Sequence, residues 1–331
     1  MPGSVTSVFS EAEDFEAALR ADGCLGLLVT GSGRFRARLT QVTLRRMRLT
    51  ATEEQLPRIT FVAVPADTLV VLLPVGDRSA PIWGGIGMRS GEFLTLGPSE
   101  LVHSRTEGPS RSGSIWLPVA ELDRYAGALT GSRLSVLPDL QRWRLPPGAG
   151  GHLRQLHRAA IRMAETRPET LVGSEAAHGL EQQLIHALVE CLSAGSANKV
   201  ATAARRRRDI AVRFEGLIQT QPERVLPITE MCAMLRVSDH MLSRSCAEQL
   251  GMSPTSYLRR RRMMLVHRLL SRGCLDAGSV STAARRYGFR DLGRFAANYR
   301  DVFGELPSAT LRRGSGEGMS RLELCGPRTR V

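Results

Sequence analysis

Beyond residue 200 the sequence contains no lysine, and nowhere in its 331 residues is there an apolar run of the roughly 18 to 20 residues that a membrane-spanning helix needs. The opening segment MPGSVTSVFSEAEDFEAALR lacks the basic start and apolar core of a signal peptide and carries acids instead. Its six cysteines, Cys24, Cys191, Cys232, Cys246, Cys274 and Cys325, form no C-x-x-C pair. These absences argue against a membrane protein, a disulfide framework and a structural zinc site, and set the expectation of a cytoplasmic protein with reduced thiols. No Ser/His/Asp, Cys/His or phosphate-loop motif is present. His103, His152 and His157 stand apart from one another, without the clustered histidines and carboxylate of a cupin metal site. The expectation is a protein that is not an enzyme and holds neither metal nor cofactor.

What the sequence does have is unevenly placed positive charge. Residues 201–331 hold 24 arginines against 12 acids, a net of +12, whereas residues 1–200, with 21 basic and 20 acidic side chains, carry +1. A basic segment of this kind most often meets a polyanion, and nucleic acid is the commonest. An arginine-rich surface that is merely solvated is the alternative.

The length exceeds what one core usually supports, which predicts two domains. Between residues 25 and 117 the runs RFRARLTQV, ITFVAV, TLVVLLPV, GEFLTLG and RSGSIWLPV are short and strand-like, separated by Gly, Pro, Asp and Ser. No helix-length pattern interrupts them, so a closed sandwich or barrel is expected rather than βαβ units. Trp83 and Trp116 belong in its core, with pocket lining as the alternative. From about residue 119 the pattern turns helical. Residues 151–193 read as two helices, with Leu153, Leu156, Ala160 and Met163, then Leu180, Leu184, Leu188 and Leu192, on their apolar faces. SAGSANKVATAA, around residues 194–204, is small, polar and aperiodic, and is expected to be a linker.

Downstream of it lies an internal repeat. Ile228, Met231, Cys232 and Leu235 follow an i, i+3, i+4, i+7 stripe that Val280, Ala283, Ala284 and Tyr287 repeat 52 residues later. After a turn in which Val237 matches Phe289, the offset becomes 53. Leu242, Cys246, Leu250, Gly251 and Pro254 then match Phe295, Tyr299, Phe303, Gly304 and Pro307. Each copy reads as helix, tight turn, longer helix, Gly stop and Pro restart: a helix-turn-helix, twice. Between the copies, Ser253 as N-cap and Pro254 at the first helical position begin a helix of about 17 residues, roughly 25 Å long. A rod of that length can hold two recognition helices for successive major-groove segments about 34 Å apart.

In the first copy the inward stripe leaves Asp239, His240, Ser243, Arg244 and Ala247 outward. Arg244 is the expected base reader, because its guanidinium can pair bidentately with guanine O6 and N7; pairing with Glu248 is its alternative. His240 and Ser243 are expected to contact bases or phosphates. In the second copy Arg290, Gly293, Arg294, Ala297 and Asn298 face outward, with Arg294 and Asn298 as base readers and Arg290 beside them. Arg285, Arg286 and Arg300, together with Arg205 to Arg208, are candidates for phosphate contacts.

Residues 205–313 resemble the AraC/XylS transcriptional regulators. VSDHMLSRSCAEQLGMSPTSYLRRRRM is similar to that family's first helix-turn-helix and linking helix, and YGFRDLGRFAANYRDVFGELPSATLRR to its second. Cys246 stands where the family usually has Phe, and Ala297 where many members have Arg; LGRFA looks like a subgroup with Arg294 just before the aromatic. By the same resemblance Arg262 would brace the linking helix to the first recognition helix. Residues 25–195 are similar, less closely, to the family's sensor domain, a cupin-like jelly roll followed by dimerising helices.

The expected organisation is therefore a β jelly-roll sensor-like domain over 1–150, a helical dimerisation segment over 151–193, a linker over 194–204, an all-α DNA-binding domain over 205–313 and a flexible tail over 314–331. The resemblance implies a sequence-specific DNA-binding regulator, contact with RNA polymerase, a homodimer and a small-molecule effector. A cupin-type enzyme with an appended DNA-binding module, and a non-specific DNA-binding structural protein, are the alternatives.

Overall fold

The computed structural model describes residues 2–323 apart from 76–78, 90, 132–138, 146–148, 173, 221–223 and 273–278. The chain forms two compact units, residues 1–29 with 35–212, and residues 30–34 with 213–331.

Among the described residues the first unit is built on twelve strands: β1 (Gly3–Phe9), β2 (Cys24–Val29), β3 (Ala37–Thr43), β4 (Arg48–Glu54), β5 (Arg58–Ala63), β6 (Thr68–Pro74), β7 (Ile82–Trp83), β8 (Glu92–Leu96), β9 (Leu101–Arg105), β10 (Ser110–Pro118), β11 (Gln141–Arg144) and β12 (Ser196–Lys199). They form two antiparallel sheets, ordered β1-β3-β4-β10-β6-β8-β11-β12 and β2-β5-β9-β7. Helices α1 (Ala12–Leu19), α2 (Val119–Thr130), α3 (Ala149–Thr166) and α4 (Ser174–Ala194) complete it, with the start of α5 (Thr202–Thr220).

The continuous apolar run TLVVLLP is explained by burial on both faces of β6. Val70 and Leu72 point between the sheets with Val62, Leu94, Val102, Trp83 and Trp116. Leu69, Val71 and Leu73 point outward to a second core roofed by α2, α3 and α4. Both tryptophans thus pack in the core. The two-sheet β domain followed by helices is the fold class the sequence pointed to. Strand β4 escaped the sequence reading because RLTATEE is polar: it is held centrally by hydroxyl pairs across the ladder, Thr50 with Ser114 at 2.5 Å and Thr52 with Ser112 at 2.7 Å.

Within the stretch 194–204, Ser196–Lys199 is strand β12, paired antiparallel with Gln141–Arg144, and α5 already begins at Thr202. Small polar residues suffice there because an edge strand is held by main-chain hydrogen bonds alone. Among the described cysteines, Cys24, Cys191, Cys232 and Cys246 are buried free thiols; Cys274 and Cys325 lie outside the described residues. Burial pushes Cys24 and Cys191 up to about 11 and Cys246 to about 12. No helix among the described residues is long and apolar enough to cross a membrane.

The second unit is helical. After α5 come α6 (Ile228–Leu235), α7 (Asp239–Leu250), α8 (Pro254–Ser271), α9 (Val280–Arg286), α10 (Leu292–Phe303) and α11 (Pro307–Glu323). Where a tail from residue 314 was expected, α11 continues to Glu323; residues 324–331 lie outside the described residues. Gly314 is buried where α11 crosses α8, and a Cβ there would stand 2.5 Å from the carbonyl oxygens of Leu270 and Ser271.

Candidate nucleic-acid interface

Four side-chain caps start the helices of the two copies. Ser238 Oγ accepts from the Met241 amide at 3.2 Å, Ser253 Oγ from Ser256 at 3.2 Å, Ser279 Oγ from Thr282 at 3.3 Å and Asp291 Oδ1 from Arg294 at 2.9 Å. Gly251 and Gly304 end α7 and α10 in the left-handed conformation. Each recognition helix is thereby fixed at both ends by its own sequence. The rod α8 has 18 residues, about 27 Å.

Two polar networks fix how α7 and α10 are presented. In the first copy Glu215 of α5 is fully buried; it accepts from Tyr257 Oη at 2.6 Å and Gln219 Nε2 at 3.2 Å, and from Arg261 of α8. Tyr257 and Arg261, four residues apart, share one face of α8. Arg213 donates to the Leu235 carbonyl at 2.6 Å, satisfying the end of α6. In the second copy His267 Nδ1 meets Tyr299 Oη at 2.7 Å, Tyr299 donates to Thr310 at 2.9 Å, and Thr310 donates to Glu305 at 2.7 Å. Arg313 grips Glu305 through two bonds of 2.9 and 2.8 Å. The chain of bonds ties α8, α10 and α11 together around Phe295 and Tyr299. Phe303 stacks on His267 with centroids 4.1 Å apart.

On this frame His240 and Arg244 are exposed on α7, and Ser243 is half-buried. On α10 Arg294 is exposed, Arg290 is exposed in the turn before it, and Asn298 is half-buried with its carboxamide donating to the Arg294 carbonyl one turn back. Arg285 and Arg286 are exposed at the end of α9, and Arg300 near the end of α10. The structure thus gathers His240, Ser243 and Arg244 on one stretch of α7, and Arg294 and Asn298 on the first half of α10 with Arg290 just before it.

Two expectations are corrected. Arg205 and Arg208 are engaged with carboxylates of the first unit: Arg205 pairs with Asp139 at 2.8 Å, and the buried Arg208 pairs with Glu100 at 3.0 Å. The run turns about 100° per residue, so its members meet different surroundings and cannot act as one phosphate-facing patch. Of the α8 arginines it is Arg261 that makes a buried ion pair, and it does so with Glu215 of α5, not with the first recognition helix. Arg262 is half-buried, lines a small cleft with Leu217 and Met231, and has no hydrogen bond or ion pair among the described residues. Sequence reading missed Glu215, although an acid directly after Phe214 in an apolar stripe was the available signal.

A family model described as a helix-turn-helix domain matches residues 231–313. The chain is 34% identical over 103 residues to the XylDLEGF operon transcriptional activator of Pseudomonas putida, covering 30% of this chain and 32% of that one. It is 35% identical over 101 residues to XylDLEGF operon transcriptional activator 2 of the same organism, covering 30% and 64% respectively. A solved structure, a probable AraC family transcriptional regulator from Rhodopseudomonas palustris CGA009, is 34% identical over 32% of this chain and 97% of that one, with a TM-score of 0.30. The chain thus spans 32% of the length of the first of these relatives. The doubled helix-turn-helix, its capped helices and the sequence matches to the P. putida activators agree with the resemblance carried by the sequence: the C-terminal region of the chain is similar to the AraC/XylS regulators.

Proposed function

We propose that the protein is a sequence-specific DNA-binding transcription regulator that places α7 and α10 in two successive major-groove segments, with its N-terminal unit sensing a signal, dimerising, or both. The observation that carries this reading is the pairing of two capped recognition helices with exposed arginines, Arg244 and Arg294, at the two ends of an 18-residue rod. Their segment carries nearly all of the chain's excess positive charge. In this reading Arg244 and Arg294 read base edges, His240, Ser243, Arg290 and Asn298 support them, and Arg285, Arg286 and Arg300 hold phosphates. The P. putida relatives are operon transcriptional activators, which favours a regulator over a cupin-type enzyme. Contact with RNA polymerase and a homodimer belong to the same proposal.

Genome-wide mapping of bound sites, with footprinting of the strongest, tests it. The expected footprint has two protected blocks about one helical turn of DNA apart near a promoter, with altered expression of the adjacent gene on deletion. Uniform occupancy with no preferred site would replace a regulator by a general DNA-coating protein. The domain division is tested by residues 205–315 alone. That fragment is expected to be helical and to bind DNA, more weakly than the full chain on a two-site operator if the N-terminal unit dimerises.

A further inference from the structure

On the outer face of the eight-stranded sheet, where α3 lies over β3, β4 and β10, a cleft of about 400 Å³ is open. That volume suits a small molecule. Its wall is apolar, formed by Ala51, Val75 and Ile161; its rim carries Arg38 from β3 and Arg158 and Arg162 from α3. Arg158 and Arg162 are four residues apart and share a face of the helix. The other charged groups of the cleft have partners within the unit: Arg111 pairs with Glu53 at 2.7 Å, and Glu165 accepts from Thr40 Oγ1 at 3.1 Å. Among the described residues no hydrogen bond or ion pair engages the guanidinium groups of Arg38, Arg158 or Arg162.

The cleft is held by a wedge beside it. His157 of α3 is buried against Gly113 of β10, with Nε2 3.1 Å from the Thr50 carbonyl. A Cβ on Gly113 would stand 2.5 Å from His157 Cε1, so glycine is what lets the imidazole seat there. This fixes α3 on the sheet and leaves Arg38, Arg158 and Arg162 around an apolar wall with one carboxylate, Glu165, among them, a net positive rim that an anion stabilises. The place is distinct from the space between the sheets, which Trp83 and Trp116 help to fill.

We propose that this cleft binds a small organic anion with an apolar body, its acid group held among Arg38, Arg158 and Arg162 and its body lying on Ala51, Val75 and Ile161. The site gives a place and a ligand class to the sensing role, and only its consequence for DNA rests on that reading. The guanidiniums offer planar bidentate donors to a carboxylate or sulfonate, and the apolar wall discriminates against inorganic anions.

Calorimetric titration of the full chain with naphthalene-2-carboxylate, and separately with the uncharged naphthalene-2-carboxamide, tests the site. The carboxylate is expected to bind saturably and at least about tenfold more tightly than the amide, and a variant carrying Arg158→Ala and Arg162→Ala should lose about tenfold or more for the carboxylate alone. Ala51→Phe should block both probes by filling the cleft. Equal affinity for the two probes on the unmodified chain, unchanged affinity in the arginine variant, or no saturable carboxylate binding would each overturn the site. The comparison of probes needs no variant, so a misfolded mutant does not leave the question open. Arginine-dependent binding that leaves operator affinity unchanged supports the site while overturning the sensor reading.

Discussion

Arg236 and Gly288 stand at the same place in the two helix-turn-helix copies, 52 residues apart, and both are left-handed, with φ of +55° and +82°. The second copy uses the residue suited to that conformation, whereas the first makes an arginine adopt it. A non-glycine residue in this region is disfavoured by about 1–2 kcal/mol, partly offset by the greater freedom of an unfolded glycine. Arg236→Gly is therefore expected to stabilise the helical unit by about 0.5–1 kcal/mol. Gly288→Ala should cost about 2 kcal/mol or more, because a Cβ there would also lie 2.6 Å from Val225 Cγ2. Urea unfolding followed by helical circular dichroism reads both; a destabilised Arg236→Gly would mean that the Arg236 side chain contributes more than its backbone conformation costs.

Glu215 is the polar centre of the first copy. Glu215→Ala leaves Tyr257 and Arg261 without their buried acceptor and should destabilise the helical unit by about 3 kcal/mol, the range for breaking a buried pair from one side. Glu215→Gln keeps an acceptor and should cost less. If both variants unfold at the same urea concentration as the parent, α5 does not brace α8.

Much of this was legible in the sequence, and the failures share a cause. The cap Ser253 and the stops Gly251 and Gly304 are local signals, and each appears where a pattern of a few residues puts it, whereas the caps Ser238 and Asp291 stand out only in the structure. The outward faces of α7 and α10 followed from the same periodicity. Arg208 did not, because its partners Glu100 and Asp139 lie 108 and 69 positions earlier and no local pattern announces them. Strand β4 was hidden for a related reason: its stability comes from hydroxyls opposite it on β10 rather than from apolar alternation. The three unpaired arginines of the cleft are equally non-local, since Arg38 meets Arg158 and Arg162 only through the packing of α3 on the sheet.

Two buried groups of the first unit predict an unusual pH response. Glu100 is raised to about 7, because burial outweighs the attraction of Arg208. Between its ordinary value of 4.5 and about 7 the folded state holds a proton that the unfolded state lacks, so its contribution falls as pH rises. His157 is lowered by burial from 6.5 to about 4, so in that window the unfolded state holds the extra proton and the contribution rises with pH. The two oppose each other between about 4.5 and 6.5, and the parent should show little dependence from this pair. Glu100→Gln should expose the histidine, giving a unit that loses stability on acidification through that range. The tryptophans Trp83, Trp116 and Trp143 all lie in this unit, so their fluorescence follows its unfolding. A parent that already loses stability on acidification through that range would show that Glu100 is ionised throughout, and a variant that stays flat would show that His157 is not held neutral by burial.

Reading DNA and merely holding it make different demands on the arginines of α10. Arg294 is exposed just inside the capped start of the helix, where recognition helices present residues to base edges. If it pairs with a guanine, Arg294→Ala should cost about 1–3 kcal/mol on the operator and relax preference at one position. Arg300 lies six residues on, about 120° round the helix, so it cannot face the same base edge. Its loss should weaken binding to operator and random DNA alike and lower the salt slope by about one unit. Arg244→Ala should repeat the selective defect at the other half of the site. Asn298 gives the internal control: its carboxamide is bonded to the Arg294 carbonyl, so Asn298→Ala should change specificity less than Arg294→Ala unless that bond breaks on the DNA. Competition binding against operator and scrambled duplexes at several salt concentrations separates these outcomes. Equal losses on both duplexes for Arg244→Ala and Arg294→Ala, with the helical spectrum intact, would leave α7 and α10 as backbone grips and remove their role as readers.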